Sequence, residues 1–394
     1  MGLIEAHESI EKGKILKYGM VGGGPGSFIG AVHRDAINLE GTAVLVAGCF
    51  SDIKEEIIQA GQELGVDESR VYMNYAEMAE KEAERDDKID FAVIVTPNKF
   101  HYDACRVFLE KGISVMCEKP LTTSLEEATD LKKIAYENGC LMGVAYVYCS
   151  HVMAMEARNI IMRGDIGDIK VVMGEYPQEW LVDLIEKEGQ RQASWRTDPK
   201  VAGISNCVGD IGTHIESMVS YMTGLRIKRL CANMDIFGEG RKLDTNAEIL
   251  IKFDNGASGC YWCSQVAIGY DNALKVRVFG TEGAVEFDQE NSNYLKVTKK
   301  GQPTQIYSRG CGYVSEKAAA YSRIPAGHPE GFYEAFANMY ESFAKGLKDN
   351  KLRGKTMKES EYGYPTVDMG IDGVRFIEKC VESASNGSIW VDVE

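Results

Sequence analysis

No apolar run in the 394-residue chain approaches the length of a membrane span, so no membrane-crossing helix is expected. Basic residues are also in short supply. Lys and Arg number 44 against 59 Asp and Glu, for a formal net charge of −15. That balance argues against a nucleic-acid partner and against an anionic membrane surface, and it serves solubility. The opening residues Met1-Gly2-Leu3-Ile4-Glu5-Ala6 lack the cationic and apolar regions of a signal peptide. Ala6 stands where a myristoylation signal needs Ser or Thr. Residues 1–14 read as a loose tail. Internal repeats and low-complexity segments are absent. The 11 cysteines are odd in number and scattered, which is no disulfide framework. Cys49, Cys105, Cys117 and Cys140 fall in or beside apolar segments, where a free thiol packs as a small hydrophobe. The C-x-x-C at Cys260 and Cys263 lies in a strand-like segment, which points its sulfurs to opposite faces. No metal site is expected, and a reducing cytosol is the simplest compartment.

What the chain does have is a glycine-packed turn near its start. The apolar strand from Ile15 to Val21 runs into Gly22-Gly23-Gly24-Pro25-Gly26-Ser27-Phe28-Ile29-Gly30, and a helix follows through His33 and Ile37. Glycines let a backbone turn sharply and approach a phosphate closely, and the helix start offers free N–H groups to an anion. A dinucleotide pyrophosphate needs that order of elements. The spacing is not a clean G-x-G-x-x-G: the sixth position from Gly22 is Ser27, and from Gly24 it is Ile29. The loop is stretched.

From Tyr18 to about Ala145 apolar strands alternate with amphipathic helices, which predicts a doubly wound parallel sheet with ligands outside its carboxyl ends. After Ala145 the period changes. Strands at 169–175, 229–235, 247–253, 259–264, 274–280 and 284–288 are separated by polar turns such as Asp254-Asn255-Gly256. This half reads as an α+β domain with a mostly antiparallel, open-faced sheet. The expected division is a tail at 1–14, a dinucleotide-binding domain at 15–146 and a second domain at 147–394.

Four constellations carry chemistry. The second strand ends in Phe50-Ser51-Asp52, with Phe50 where a ribose-binding acid is expected. Ser51 or Asp52 then holds the ribose, or Asp52 caps the next helix. No arginine stands nearby for a 2′-phosphate, which favours NAD over NADP. Thr96-Pro97-Asn98 follows a buried strand, with His101 opening the next helix. Glu118-Lys119-Pro120 follows another, and a lysine there is costly unless it has a partner or a task. Glu118 is placed to orient the lysine, whose ammonium can meet an oxygen that becomes negative as hydride leaves carbon. Asp210 and His214 are four apart on one helix face, as a surface ion pair or a catalytic dyad would be.

Together these motifs, in this order, resemble the glucose–fructose oxidoreductase / inositol dehydrogenase / MocA family from about Lys14 to the end. The resemblance implies a Rossmann domain for NAD or NADP and an open-faced sheet domain that completes the site. It implies catalytic roles for Lys119, Asp210 and His214. Cofactor contacts are expected from Gly22, Gly24, Pro25, Gly26, Ser27, Phe28, Ile29, Ser51, Asp52, Thr96, Asn98, His101, Glu118 and Lys119. Glu175-Tyr176-Pro177-Gln178, Trp195-Arg196-Thr197-Asp198 and Gly327-His328-Pro329-Glu330-Gly331 look like members that oxidise a glycoside hydroxyl, often at C3 of a glucosyl ring. Tyr148, Trp195, Arg196 and His328 then join Lys119, Asp210 and His214 as substrate contacts, with core packing the other reading of Tyr148 and Trp195. The implied partner is a sugar or glycoside, in a homodimer or homotetramer. The alternatives are an inositol or polyol dehydrogenase, an oxo-sugar reductase with tightly bound cofactor, and a non-catalytic NAD-binding sensor.

Overall fold

A computed structural model describes residues 15–349 and 361–393, so the expected tail at 1–14 lies outside the described residues. The chain forms two compact units. In the first, strands β1 (Leu16–Gly22), β2 (Ala43–Cys49), β3 (Phe91–Val95), β4 (Ser114–Cys117) and β5 (Met142–Val144) pair in the order β2-β1-β3-β4-β5, all parallel. Helices α1 (Phe28–Glu40), α2 (Lys54–Glu63), α3 (Tyr75–Ala83), α4 (His101–Glu110) and α5 (Leu125–Glu137) connect them. β3 is buried along its whole length, as a strand covered on both faces must be. The order reverses at β1, between β2 and β3, and that switch point is where such sheets bind ligands.

In the second unit β6 (Ile169–Pro177), β7 (Ile227–Asp235), β8 (Asn246–Phe253), β9 (Ser258–Ser264), β10 (Lys275–Gly280), β11 (Gly283–Asp288), β12 (Tyr294–Lys299), β13 (Gln305–Ser308) and β14 (Val391–Asp392) form one sheet. The order is β13-β12-β11-β10-β6-β9-β8-β7-β14, antiparallel except between β6 and β9. Helices α6 (Val152–Met162) and α7 (Thr213–Thr223) belong to this unit. Along β8, Ala247, Ile249, Ile251 and Phe253 are buried, while Glu248, Leu250 and Lys252 are exposed on the other face. β12 and β13 were not expected from the sequence. Their short alternation, Tyr294-Leu295-Lys296-Val297-Thr298-Lys299, turns only Leu295 and Val297 inward, too little apolar signal to stand out.

The chain leaves the first unit after Val147, beside the expected boundary, but it returns to that unit later. Helix α8 (Phe332–Lys348) and residues 361–371 belong to the first unit, not to the second, while the last helix, α9 (Val367–Ser385), starts there and passes into the second. The apolar face of α8 covers α1 and the sheet: Phe343 meets the Phe91 ring edge-on at 5.5 Å, and Phe336 meets the His33 ring at 4.8 Å. The Pro365 carbonyl accepts from the Val144 N–H at 2.9 Å, so this segment also covers the free edge of β5. A sequence split by period could not find this, because a helix carries no mark of which sheet it covers.

α7 ends at Gly224, which takes the left-handed φ of 69° that closes a helix. Glu216 on this helix is 7% exposed and borders a cavity of about 280 Å³ with Ser220, Ile227, Arg375 and Phe376. Burial, reinforced by the charge of Asp372, pushes its carboxyl from the ordinary 4.5 up to about 8. The folded state thus keeps a proton that the unfolded chain has already released, and stability falls as pH rises from 4.5 to about 8. Glu216→Gln, which holds no titrating proton, should gain melting temperature over the parent progressively across that window. An unchanged difference between pH 5 and pH 8 in thermal melts would show that Glu216 is ionised in the folded protein.

Candidate active site

In the first unit the turn after β1 is built so that no side chain intrudes. Gly22, Gly23 and Gly26 have φ of 75°, 68° and 84°, where a Cβ is strained. A Cβ on Gly30 would stand 2.5 Å from both the Cα and the carbonyl oxygen of Gly23. Gly30, one turn into α1, therefore presses backbone to backbone on the loop, and the stretched spacing is absorbed before it. Ser27 caps α1, its Oγ accepting from the Gly30 N–H at 3.2 Å, and no acidic side chain occupies the first turn. Pro25, Gly26 and Phe28 are exposed and Ile29 half-buried. An uncovered helix start beside a bare backbone cradle fits a pyrophosphate. Arg34 donates to the Gly23 carbonyl and holds the loop from behind.

The strand ends beside this loop lie in register: Gly22 pairs with Val95 and Ile94 with Cys117. At the end of β2, Phe50 is buried, its ring over Gly48, so it fills space and binds no ribose. Asp52 is exposed and is not the cap of α2, whose capping residue, Ile53, makes no side-chain bond. Ser51 ties the turn ahead of the helix instead. Its Oγ accepts from the Ile53 N–H at 3.2 Å and donates to Glu56 at 2.5 Å. Glu56, overlooked in the sequence, thereby joins Ser51 and Asp52 as an acid at this end; the acidic first turn Glu55-Glu56 was its signal.

After β3, Asn98 is buried at the turn. His101, expected among the cofactor contacts, is fully buried with its ring nitrogens 2.9 Å from the Pro120 carbonyl and 2.8 Å from that of Thr96. It pins the ends of β3 and β4 together instead, and burial pushes its pKa down. Glu118 is turned inward. One carboxylate oxygen faces His33 Nε2 at 2.8 Å, and the other accepts from the Lys119 backbone N–H at 3.0 Å. Its hold on Lys119 is therefore through the backbone as well as through charge. Burial raises this carboxyl, but the His33 ring and the Lys119 cation outweigh it and keep the group below the usual carboxylate range.

In the second unit, Gly174 on β6 lets α7 approach: a Cβ there would meet Ile215 at 2.2 Å. Tyr176 lies two residues on, on the same face of the strand, and its ring centroid is 6.1 Å from that of His214. Tyr148 meets His214 edge-on at 4.8 Å. Tyr148 and Tyr176 join hydroxyls at 2.7 Å, Tyr176 donates to Asn272 at 2.6 Å, and Gln178 donates to the same oxygen at 2.6 Å. Tyr148 is thus buried but polar in its work, not mere packing. Burial pushes the Tyr176 hydroxyl well up, so it stays protonated. Asp210 sits in a π-turn, Val208–Gly212, ahead of α7 rather than in regular helix, a distortion found often at functional sites. Asp210 accepts from Gln265 Nε2 at 3.0 Å and lies 3.4 Å from Arg196 Nε. The Arg196 guanidinium stacks on half-buried Trp195 at 4.2 Å. His328 is exposed on a loop shaped by the buried Arg309–Glu330 pair at 2.9 Å. Tyr176 and Gln178 belong to the Glu175–Gln178 motif read from the sequence, whereas Gln265 and Asn272 were not expected, because their meeting with it depends on strand register and not on sequence spacing.

Residues 16–146 match the oxidoreductase family, NAD-binding Rossmann fold, and residues 154–286 match the GFO/IDH/MocA C-terminal domain. The chain belongs to the GFO/IDH/MocA family. An uncharacterized oxidoreductase of Bacillus subtilis is 38% identical over 96% of this chain and 97% of its own. Levoglucosan dehydrogenase of Pseudarthrobacter phenanthrenivorans is 26% identical over 89% of this chain and 99% of its own. The crystal structure of an inositol dehydrogenase homolog from Azotobacter vinelandii, complexed with NAD+, has a TM-score of 0.91 at 38% identity, covering 96% of this chain and 98% of that one. The crystal structure of an inositol dehydrogenase homolog from Azotobacter vinelandii complexed with NADH and myo-inositol gives 0.89 at 36% identity, covering 96% of this chain and 98% of that one. This GFO/IDH/MocA member is an NAD-dependent oxidoreductase, and its bare glycine loop fits a pyrophosphate. Gly30→Ala should push α1 off the loop, costing roughly 1–3 kcal/mol of stability and about tenfold or more in NADH affinity. NADH fluorescence titration checks this, and unaltered affinity would take the pyrophosphate away from this turn.

Proposed function

We propose that this protein oxidises a secondary hydroxyl of a sugar ring, C3 of a glucosyl unit, with NAD as acceptor. The observation that carries this reading is the second unit's polar cluster. His214 stands against Tyr148 and Tyr176, whose hydroxyls share Asn272 with Gln178, and Asp210 is held by Gln265 beside Arg196. Neighbouring donors and acceptors of this kind suit a ring that carries several hydroxyls. Relatives named for levoglucosan and crystallised with myo-inositol support a polyhydroxylated ring as the substrate class.

Bound NAD supplies the hydride acceptor. The remaining work belongs to the chain. His214 takes the hydroxyl proton, since imidazole is the side chain suited to that exchange near neutral pH. Lys119 donates to the oxygen as its charge develops; removing one such donor typically costs roughly 3–4 kcal/mol in the transition state. Asp210 orients His214 or accepts from the adjacent hydroxyl, and Trp195 and Arg196 line the approach. Ser51, Asp52 and Glu56 hold the ribose, and their negative charge disfavours a 2′-phosphate, hence NAD over NADP.

A specific observation favours a second reading: the homolog of high structural similarity was crystallised with myo-inositol. Incubation with NAD and methyl β-glucoside, its 3-deoxy analogue or myo-inositol, with products identified by NMR, separates the two. The expected result is a 3-oxo product from the glucoside and none from the 3-deoxy analogue. Preference for inositol, or oxidation at C1, would overturn the C3 assignment.

A further inference from the structure

We propose that His33 and Tyr340 are positioning residues for Lys119, acting through the carboxylate of Glu118. The inference rests on the reading of Lys119 as the donor to substrate oxygen. His33 is fully buried on α1, Tyr340 is 1% exposed on α8, and Glu118 is 8% exposed at the end of β4. His33 Nδ1 lies 2.5 Å from Tyr340 Oη, and Nε2 lies 2.8 Å from Glu118 Oε1. The second Glu118 oxygen accepts the Lys119 backbone N–H at 3.0 Å.

The contact at the carboxylate has a fixed direction. An ionised carboxylate has no proton to give, so His33 Nε2–H donates to it. Nδ1 and the Tyr340 hydroxyl share the hydrogen bond on the other side of the ring. A carboxylate buried this deeply needs such bonds, and losing one leaves a large desolvation cost. Phe336 packs edge-on against the His33 ring at 4.8 Å, and Phe91 lies 6.3 Å from the Tyr340 ring, so neither side chain has room to turn. The consequence falls on the peptide between Glu118 and Lys119. Its N–H is tied to a carboxylate that is itself anchored to two helices, and the direction in which the Lys119 side chain leaves the strand end is thereby set. His33 and Tyr340 are 307 residues apart, so a single sequence offers no sign of the pair. Neither residue is placed to touch substrate or cofactor through its ring, whose polar atoms are spent on one another and on Glu118.

The test uses His33→Leu, His33→Gln, Tyr340→Phe and Lys119→Met, with the His33→Leu/Lys119→Met double variant. Three properties are read in the full chain: NADH affinity, turnover on the ring substrate identified above, and competitive acetylation of Lys119 against exposed Lys111 by mass spectrometry. His33→Leu should keep NADH affinity, lower kcat by about 30-fold with little change in KM, and alter Lys119 labelling by about threefold or more while Lys111 is unmoved. His33→Gln retains a donor near the Nε2 position and should recover most of both, to within about threefold of the parent. Tyr340→Phe should fall between. The double variant should be no slower than Lys119→Met alone, since coupled residues are not additive. Parent-like labelling and kcat in His33→Leu, or no recovery in His33→Gln, would overturn the positioning role. If Lys119→Met instead keeps its turnover, the catalytic reading of Lys119 fails by itself, and the labelling still decides whether His33 positions it.

Discussion

The approach of α1 to the β1 loop is a contact between two backbones, Gly30 on Gly23, and the rest of the first unit is arranged around it. Because the helix begins so close to the strand end, its uncovered N–H groups stand at the switch point of the parallel sheet, where β1 and β3 finish in register. A side chain at Gly30 would drive the helix off the loop backbone, and one at Gly23 would strike Val95 and Met20. Everything that supports this junction follows the same logic. Arg34 ties the Gly23 carbonyl from within α1, and α8 packs over the outer side of α1 through Phe336 and Tyr340. The return of α8 to the first unit is thus part of what holds α1 against the glycine loop.

A second constraint is the cost of burying polar groups at strand ends. His101 and Glu118 are both buried where β3 and β4 finish, His101 between the Pro120 and Thr96 carbonyls and Glu118 between His33 and the Lys119 N–H. Such groups are expensive when left unmet and rigid when met. They fix the strand ends from which Asn98 and Lys119 project. The second unit solves the same problem differently. Its tyrosines and amides satisfy one another around Asn272, His214 packs against both tyrosine rings, and Asn206 sets the Gln265 amide by donating to its oxygen at 2.6 Å, leaving the nitrogen to donate to Asp210.

Much of this was legible in the chain. The glycine turn, the alternation up to Ala145, the change of period after it and the motifs at Lys119 and at Asp210–His214 all have local signatures. The strands expected at 169–175 and 247–253 are β6 and β8 with ends moved by two residues at most. What stayed hidden was long-range. Phe50 holds the position expected for an acid, yet its ring is spent on packing against Gly48, and the acid bonded to Ser51 is Glu56 from the first turn of α2. Asp210 lies in a π-turn, which no apolar periodicity announces. His101 opens α4 as its position in the sequence suggests, but its burial between two backbone carbonyls has no local signature. The covering of α1 by α8, and with it the His33–Tyr340 contact, joins segments about three hundred residues apart.

The account stands on hydride passing from a ring carbon to NAD, with the chain supplying the base and the donor. The most direct measurement is isotopic. Methyl β-glucoside carrying deuterium at C3 is incubated with the protein and NAD, and the reduced cofactor is examined by mass spectrometry and NMR. The account predicts one deuterium at C4 of the nicotinamide and a 3-oxo glucoside without it. Reduced cofactor that carries no deuterium would contradict it, as would deuterium retained in the sugar while cofactor is reduced.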